Sequence, residues 1–249
     1  EALAATQEAV VILRRLAADD PATYEPGLAT SLTNLGHQLS GAGRRGEALT
    51  TTQEAVEIHR RLAQTNPAAH EANLALSLSN LGIWLSGAGR WGEGLAAGQE
   101  AVVIRRRLAA DDPAAHEPDL AASLSNLGNH LSGAGRRIEA LTAKQEAVEI
   151  WRRLAADNPA AHEPDLATSL TVWAMLLADE GDLSEALSVT GIAVGCYRPH
   201  IATMPSLLPQ LHAVLDLQAR VLDALERPEE AATVRRWVRE NPVPPGSHN

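Results

Sequence analysis

The sequence predicts an all-α fold, a right-handed α-solenoid of stacked antiparallel helix pairs. Hydrophobic residues make up 45% of the 249 residues, yet aromatic residues make up only 3% and phenylalanine is absent. Alanine and leucine must therefore fill the core, which suits closely packed helices better than a β-sandwich. The segment Gln-Glu-Ala-Val also recurs every 46 residues, at Gln7, Gln53, Gln99 and Gln145. A fixed period of this size is typical of solenoids.

The first helix of each repeat is predicted by an apolar stripe. Leu32, Leu35, Gly36 and Leu39 follow the i, i+3, i+4, i+7 spacing of one buried helix face, and the pattern recurs in the next two repeats. Residues that can cap the free amide groups are expected at the start of these helices, at Gly27, Asn73, Asp119 and Asp165. Glycines are expected to end them, at positions 43, 89, 135 and 181.

The second helix of each repeat is predicted from a further set of apolar residues. In the first complete repeat they are Ala48, Leu49, Ala55, Ile58 and Leu62. A pair of arginines follows near the end of the helix, where cations complement the helix dipole, and Pro67 stops it. We interpret the arginines as a solvated outer surface. Neither helix can bury its apolar stripe alone, so neighbouring pairs must stack, and about eleven helices are expected.

The repeat pattern also predicts the domain boundaries. Residues 1–20 form the second helix of a truncated repeat, and residues 27–198 form four repeats. Residues 199–240 form a C-terminal capping pair, because a terminal repeat is expected to be atypical. Residues 241–249 are expected to be disordered. Because the chain begins with Glu1 inside a repeat, we expect it to be a piece of a longer protein.

The contact residues between the two helices carry a family resemblance. Leu35-Gly36, followed twelve residues later by Ala48 and seven later by Ala55, resembles the tetratricopeptide signature. The long unit, with Gln-Glu-Ala-Val-Glu-Ile-His-Arg-Arg-Leu and then His-Glu-Pro-Asp-Leu-Ala, is similar to the kinesin-light-chain-like subclass found in bacterial proteins. The resemblance implies a scaffold that binds a protein or peptide and is not an enzyme, with the first helices lining a concave groove.

Candidate contacts with a peptide are the residues of the first helices outside the leucine stripe. They are Thr33, Asn34, His37, Ser79, Asn80, Ile83, Ser125, Asn126 and Asn129, with Met175 in the fourth repeat. The asparagines match a position that in related repeats bonds the backbone of an extended peptide, since an amide both donates and accepts. The alternative is that each asparagine ties its own helix to a neighbour.

The predicted groove is poor in charge. Segments 29–43, 75–89 and 121–135 contain no Asp, Glu, Lys or Arg, although 21% of the chain is charged. Binding of a ligand's terminal carboxylate by Lys or Arg is therefore disfavoured. His37 and His130 lie on these helices without an acidic or cysteine partner in the same turn, which favours a surface or interface role over catalysis.

Tryptophans break the repeat at positions 84, 91, 151 and 173. Each replaces a smaller or polar residue. Two interpretations are open, local filling of the core and an anchor for a partner's side chain.

Several other classes of function are disfavoured. The formal charge of -10 argues against nucleic acid as a partner. No apolar run approaches the roughly 20 residues needed to cross a membrane. A single cysteine, Cys196, excludes an internal disulfide framework and favours a reducing cytoplasm. His70, His116 and His162 are separated by whole repeats and cannot converge on a metal ion, and no cofactor is expected.

The leading hypothesis is therefore a scaffold that grips an extended polypeptide in a neutral groove of Asn, Ser and Thr. One alternative is the sensor region of a larger signalling enzyme, such as a nucleotide-driven switch or a protease. Another is a structural spacer that self-associates. The N-terminal helix favours homo-oligomers, because its apolar face is expected to be partly uncovered. That face carries Leu3, Ala9, Ile12, Leu13 and Leu16.

Overall fold

The computed structural model describes residues 2–243, and all of the regular structure in that range is helical. The all-α prediction is confirmed. The helices in this range are α1 (Ala2–Asp19), α2 (Pro21–Gly41), α3 (Arg45–Thr65), α4 (Pro67–Gly87), α5 (Trp91–Asp111), α6 (Pro113–Gly133), α7 (Arg137–Asp157), α8 (Pro159–Glu180), α9 (Leu183–Tyr197), α10 (Leu208–Ala224) and α11 (Pro228–Glu240). Two short 3-10 turns, Arg198–His200 and Pro205–Leu207, connect α9 to α10.

The chain divides into two compact units, residues 1–140 and 141–249. In the first unit, helices α1 to α6 pack on one another in the order of the sequence, and α4 also contacts α2 and α6. In the second unit, α9 packs on α8 and α10, α11 packs on α10, and α8 also contacts α10. First helices of successive repeats therefore touch within each unit, as expected of stacked helix pairs.

The first helices begin seven residues earlier than the sequence analysis placed them. Helix α2 starts at Pro21, and the side chain of Asp20 caps it by accepting a hydrogen bond from the backbone N–H of Thr23 at 3.3 Å. The equivalent caps of the later first helices are Asn66, Asp112 and Asn158. The prediction of Gly27, Asn73, Asp119 and Asp165 as caps was wrong. Proline suits the first helical position because the N–H that it lacks would have no partner within the helix.

Close helix contacts explain the small residues of the repeat. On α2, Leu28, Leu32 and Leu39 are buried against α3 and its neighbours. A Cβ atom on Gly36 would lie 2.3 Å from the Oγ1 atom of Thr52, so only glycine allows α2 and α3 to approach this closely. The predicted ends of the first helices are confirmed, since the four glycines have positive φ, for example 76° at Gly43.

The arginines of the second helices form ion pairs both between successive repeats and within single repeats. Arg14 pairs with Glu54 at 2.8 Å, and Arg60 pairs with Glu100 at the same distance. Another series runs from second helices to first helices and joins Arg61 to Glu25 and Arg107 to Glu71. All four arginine side chains are about half exposed, so the interpretation as solvated surface holds, but the side chains also bridge neighbouring helices.

The outer face of α1 is less covered than that of α3. Val11 is 64% exposed and Ile12 is 52% exposed, whereas Ile58, which occupies the position of Ile12 in the next repeat, is 5% exposed. Leu3 and Leu13 are partly buried and pack on the core of the first unit. The uncovered apolar patch on α1 therefore consists of Val11 and Ile12.

The last two helices form a pair whose core is apolar. Buried residues include Leu215, Ala219 and Leu222 of α10 and Ala231 of α11. Of the segment expected to be disordered, residues 241–243 follow α11 without regular structure, and residues 244–249 lie outside the described residues.

Candidate functional site

Helices α2, α4 and α6 present matching faces to solvent, which we call the first-helix wall. Nine residues at the 46-residue spacing define it, and all are exposed or half-buried. They are Thr30, Asn34 and His37 on α2, Leu76, Asn80 and Ile83 on α4, and Ala122, Asn126 and Asn129 on α6. The wall lies opposite the leucine stripe, because residues three and four apart share a helix face.

Three asparagines of the wall, Asn34, Asn80 and Asn126, do not tie the helices together. Within residues 2–243, the side-chain amides of Asn34, Asn80 and Asn126 make no hydrogen bond to the protein. Each amide therefore presents both a donor and an acceptor to solvent. This disfavours the structural alternative for these three residues.

Thr33 and Ser79 lie behind the wall rather than on it. Thr33 is 5% exposed, and its hydroxyl is 2.8 Å from that of Ser77 on α4. Ser79 is 9% exposed, and its hydroxyl is 3.4 Å from that of Ser123 on α6. These hydroxyl pairs hold successive first helices side by side. Sequence analysis missed Ser77 and Ser123, although the recurring 44-residue spacing of the pairs was readable.

A buried polar cluster supports the wall between α4 and α6. The Oγ atom of Ser86 is 2.8 Å from the Nδ1 atom of His130, which is 2% exposed. Of the surface or interface role expected of His130, the surface role is therefore wrong. Neighbouring glycines make room for these side chains. A Cβ atom on Gly94 would lie 2.4 Å from Ser86 Oγ, and one on Gly98 would lie 2.7 Å from the His130 ring. The cluster therefore depends on both glycines.

The four irregular tryptophans have different environments. Trp151 is 6% exposed, and its ring centroid lies 5.9 Å from that of His162, so it fills the core. Trp84 and Trp173 are half-buried. Trp91 is 41% exposed, and its ring covers Gly133, where a Cβ atom would lie 2.2 Å from the ring. Core filling thus accounts for Trp151, and Trp91 fills a gap at the end of α6.

Two further predicted contacts, Ser125 and Met175, are not among the nine residues of the wall. Ser125 on α6 is half-buried. Met175 on α8, in the second unit, is 46% exposed and occupies the position that Ile83 holds on α4. The first helix of the fourth repeat therefore also carries an exposed apolar residue at this position of the repeat.

Metal and thiol chemistry have little support in the described part of the chain. Residues 2–243 hold no group of three or more His, Cys, Asp or Glu side chains placed to bind a metal ion. Burial raises the pKa of the Cys196 thiol, and the charge of Glu163 raises it further, which disfavours the reactive thiolate.

None of the helices between residues 2 and 243 is long and apolar enough to span a membrane.

Comparison with known families agrees with the geometry of the helix pairs. The tetratricopeptide repeat profile matches residues 28–68, 74–114 and 120–160. The chain belongs to the tetratricopeptide repeat family. Each matched segment starts at the same leucine of the first helix and ends just past the proline that begins the next repeat.

Solved structures of tetratricopeptide repeat proteins share the fold. BtubC (BKLC) from P. vanneervenii is 20% identical, with 98% of this chain and 93% of that chain covered and a TM-score of 0.71. A Podosopora anserina kinesin light chain with nearly identical TPR-like repeats is 21% identical, with 85% and 92% covered and a TM-score of 0.66.

A third structure is that of a regulator with its peptide. The Rap conjugation gene regulator of the plasmid pLS20, in complex with the Phr* peptide, is 15% identical, with 84% of this chain and 51% of that chain covered and a TM-score of 0.58. At these identities the likeness establishes the tetratricopeptide fold alone. Among curated proteins, none matches the sequence significantly.

Proposed function

We propose that this tetratricopeptide array is a scaffold that holds an extended polypeptide against the first-helix wall. The observation that carries the proposal is the row of three unengaged amides, on Asn34, Asn80 and Asn126, across a face without formal charge. An extended peptide backbone needs both donors and acceptors along its length, and the amide side chain supplies both. The Rap regulator bound to the Phr* peptide supports a polypeptide ligand for this fold.

Apolar residues in the middle of the wall add to the proposed contact. Leu76 is 46% exposed, and Ile83 and Trp84 are half-buried beside it on α4. Burial of such surface contributes roughly 25 cal/mol for each Å² removed from water. The ligand segment that fits best is therefore uncharged, with apolar side chains facing α4 and its backbone on the asparagines.

The experiment is a selection of displayed random peptides on the immobilised chain, followed by affinity measurement with the enriched peptides. Replacing Asn80 and Asn126 together with alanine should weaken binding about tenfold or more, because each lost hydrogen bond contributes about 1 kcal/mol. The helical circular dichroism signal should not change. Gln99→Ala is the matched control, since it removes an exposed amide from α5, outside the wall.

Two results would contradict the proposed role of the asparagines. Unchanged affinity in the double variant would show that the asparagines do not contact the ligand. Unfolding at a much lower temperature, with binding intact in the folded fraction, would show that they are structural. The proposed setting is the cytoplasm, with a protein or peptide partner and without nucleic acid or membrane.

The alternative role, a sensor region of a larger signalling enzyme such as a nucleotide-driven switch or protease, would use the same wall. Analysis of the full-length gene product separates the two roles. Self-association has one specific observation in its favour, the exposed Val11 and Ile12 on α1. That patch is small, so we place self-association second to polypeptide binding.

A further inference from the structure

An open cavity of about 230 Å³ lies between α8 and α10 in the second unit. Leu217 and Val221, both buried, form its floor. Its sides and mouth include Met175, Ala178, Asp179 and Arg220, together with Leu183 from the start of α9. Met175 is at the position of Ile83 on the first-helix wall, so the cavity opens on the corresponding face of the second unit.

The cavity exists because the fourth repeat lacks the bulky residues that fill the same place in the first unit. Leu183 occupies the position of Trp91, whose ring lies against Gly133. Ala178 occupies the position of Ser86, which bonds His130. Leucine and alanine provide neither the ring nor the hydrogen bond, and the space remains open.

Two opposite charges stand at the mouth without partners. In the described part of the chain, neither Asp179 nor Arg220 makes an ion pair or a side-chain hydrogen bond. The nearby Asp223 pairs instead with Arg235 of α11. The mouth therefore offers a hydrogen-bond acceptor from α8 and a donor from α10.

We infer that this cavity receives a tyrosine side chain of a polypeptide ligand, an inference that rests on the proposed polypeptide-binding function. A closed apolar cavity of about 150 Å³ is enough to bind benzene, and this open cavity, which is lined by both apolar and charged residues, has about 230 Å³, so its volume is sufficient for an aromatic ring. The phenol hydroxyl can donate to Asp179 and accept from Arg220, whereas an indole N–H can only donate. Phenylalanine would leave both charged groups without that partner. The cavity thus matches tyrosine best among the aromatic side chains.

The test is an NMR titration of the whole chain with N-acetyl-tyrosinamide and, separately, N-acetyl-phenylalaninamide. Tyrosinamide should shift backbone amides near residues 175–183 and 217–224, with about tenfold tighter binding than phenylalaninamide. Leu183→Trp restores the ring found at position 91 and should abolish these shifts. Ser188→Trp is its control, because it adds the same side chain to an exposed position of α9 outside the cavity.

A second pair of variants keeps the cavity open. Asp179→Asn and Arg220→Gln retain the shape of the mouth, and together they should reduce the preference for tyrosinamide over phenylalaninamide to less than about twofold. This result keeps the inference testable even if Leu183→Trp does not fold. Equal binding of the two amides by the unaltered chain, or shifts produced by free zwitterionic tyrosine but not by its blocked amide, would overturn the assignment.

The same experiment separates this inference from the proposed function. Selected peptides whose binding depends on Asn80 and Asn126, with no tyrosinamide shifts around the cavity, would leave the scaffold in place and remove the tyrosine pocket. Tyrosinamide shifts in the cavity, with no peptide that depends on the asparagines, would support the pocket and remove the proposed wall.

Discussion

Ser86 and His130, on successive first helices, share a buried hydrogen bond of 2.8 Å between Oγ and Nδ1. Both side chains fit only because α5 carries glycine at positions 94 and 98, where the first repeat has Ala48 and Thr52. The four residues are thus adapted to one another within a single junction.

Gly98→Ala should destabilise the protein, although alanine is the better helix former. The new Cβ would lie 2.7 Å from the His130 ring, and overpacking of this kind costs about 1–3 kcal/mol. Gly92→Ala, in the same helix, has open space around it and should be neutral or stabilising by up to about 1 kcal/mol. Urea denaturation compares the two. A Gly98→Ala variant as stable as Gly92→Ala would contradict the packing described here.

Acid should weaken the fold through His59. Burial, and to a lesser extent the charge of His70, lowers the pKa of His59 to about 4 from a usual value near 6.5. Between these values the unfolded chain binds a proton that the folded chain does not, so this contribution to the free energy of unfolding rises with pH. His59→Leu introduces leucine, the residue at the equivalent position 13 of the preceding repeat. This change should remove up to about 3 kcal/mol of the pH dependence of the free energy of unfolding.

Denaturation of both proteins from pH 7 to pH 4 measures this contribution. The advantage of His59→Leu over the unaltered protein should grow as the pH falls through this range. Parallel curves for the two proteins would show that His59 is protonated as easily in the fold as in the unfolded chain.

Asp119→Ala should destabilise the protein by about 1–2 kcal/mol. Arg105 is 5% exposed and its guanidinium lies 2.6 Å from the Asp119 carboxylate, so loss of that partner leaves a buried charge. The exposure of Asp119 moderates the effect, because water screens the pair. The double variant Asp119→Ala, Arg105→Leu should recover most of the stability that Asp119→Ala loses. Glu100→Ala, which removes the half-exposed partner of Arg60, is the control and should change stability by less than about 0.5 kcal/mol.

Self-association, where it occurs, should depend on α1. Ile12→Glu places a charge in the patch formed by Val11 and Ile12 and should shift any concentration-dependent oligomer towards monomer. Leu13→Glu is the less suitable change because Leu13 packs on the core. Sedimentation velocity over a wide concentration range is the measurement. A monomer at all concentrations, unaffected by Ile12→Glu, would remove this hypothesis.

Binding of a selected peptide to the wall should depend weakly on salt. The wall carries no formal charge, and added salt mainly screens interactions between exposed charges. Isothermal titration at low and physiological salt should give affinities within about threefold of each other. A steep loss of affinity would instead locate the binding energy on the charged second helices.

The sequence predicted the repeat, the helix pairs and the neutral face, because each follows from local periodicity. It misplaced the helix starts, since Pro21 and its equivalents were interpreted as stops although proline also suits a first turn. It could not show that Thr33 is buried while the neighbouring Asn34 is exposed, because their burial depends on how closely α4 approaches α2. The cavity beside Leu183 was also out of reach, since it arises where the repeat pattern breaks.

The ion pairs and hydroxyl contacts between repeats join residues 40 or 44 positions apart, from one helix to the equivalent helix of the next repeat, and these separations are fewer than the 46 residues of one unit. Each therefore spans a single boundary between copies. If recombination within the gene deleted one copy, Arg14 would take the place that Arg60 has now. It could then form with Glu100 the ion pair that Arg60 forms in the present chain. Arrays of this kind can lengthen or shorten by whole copies during evolution. The exception is a copy whose contacts are not repeated elsewhere in the array. A deletion that separates Ser86 from His130 would leave a boundary between two repeats whose residues do not match.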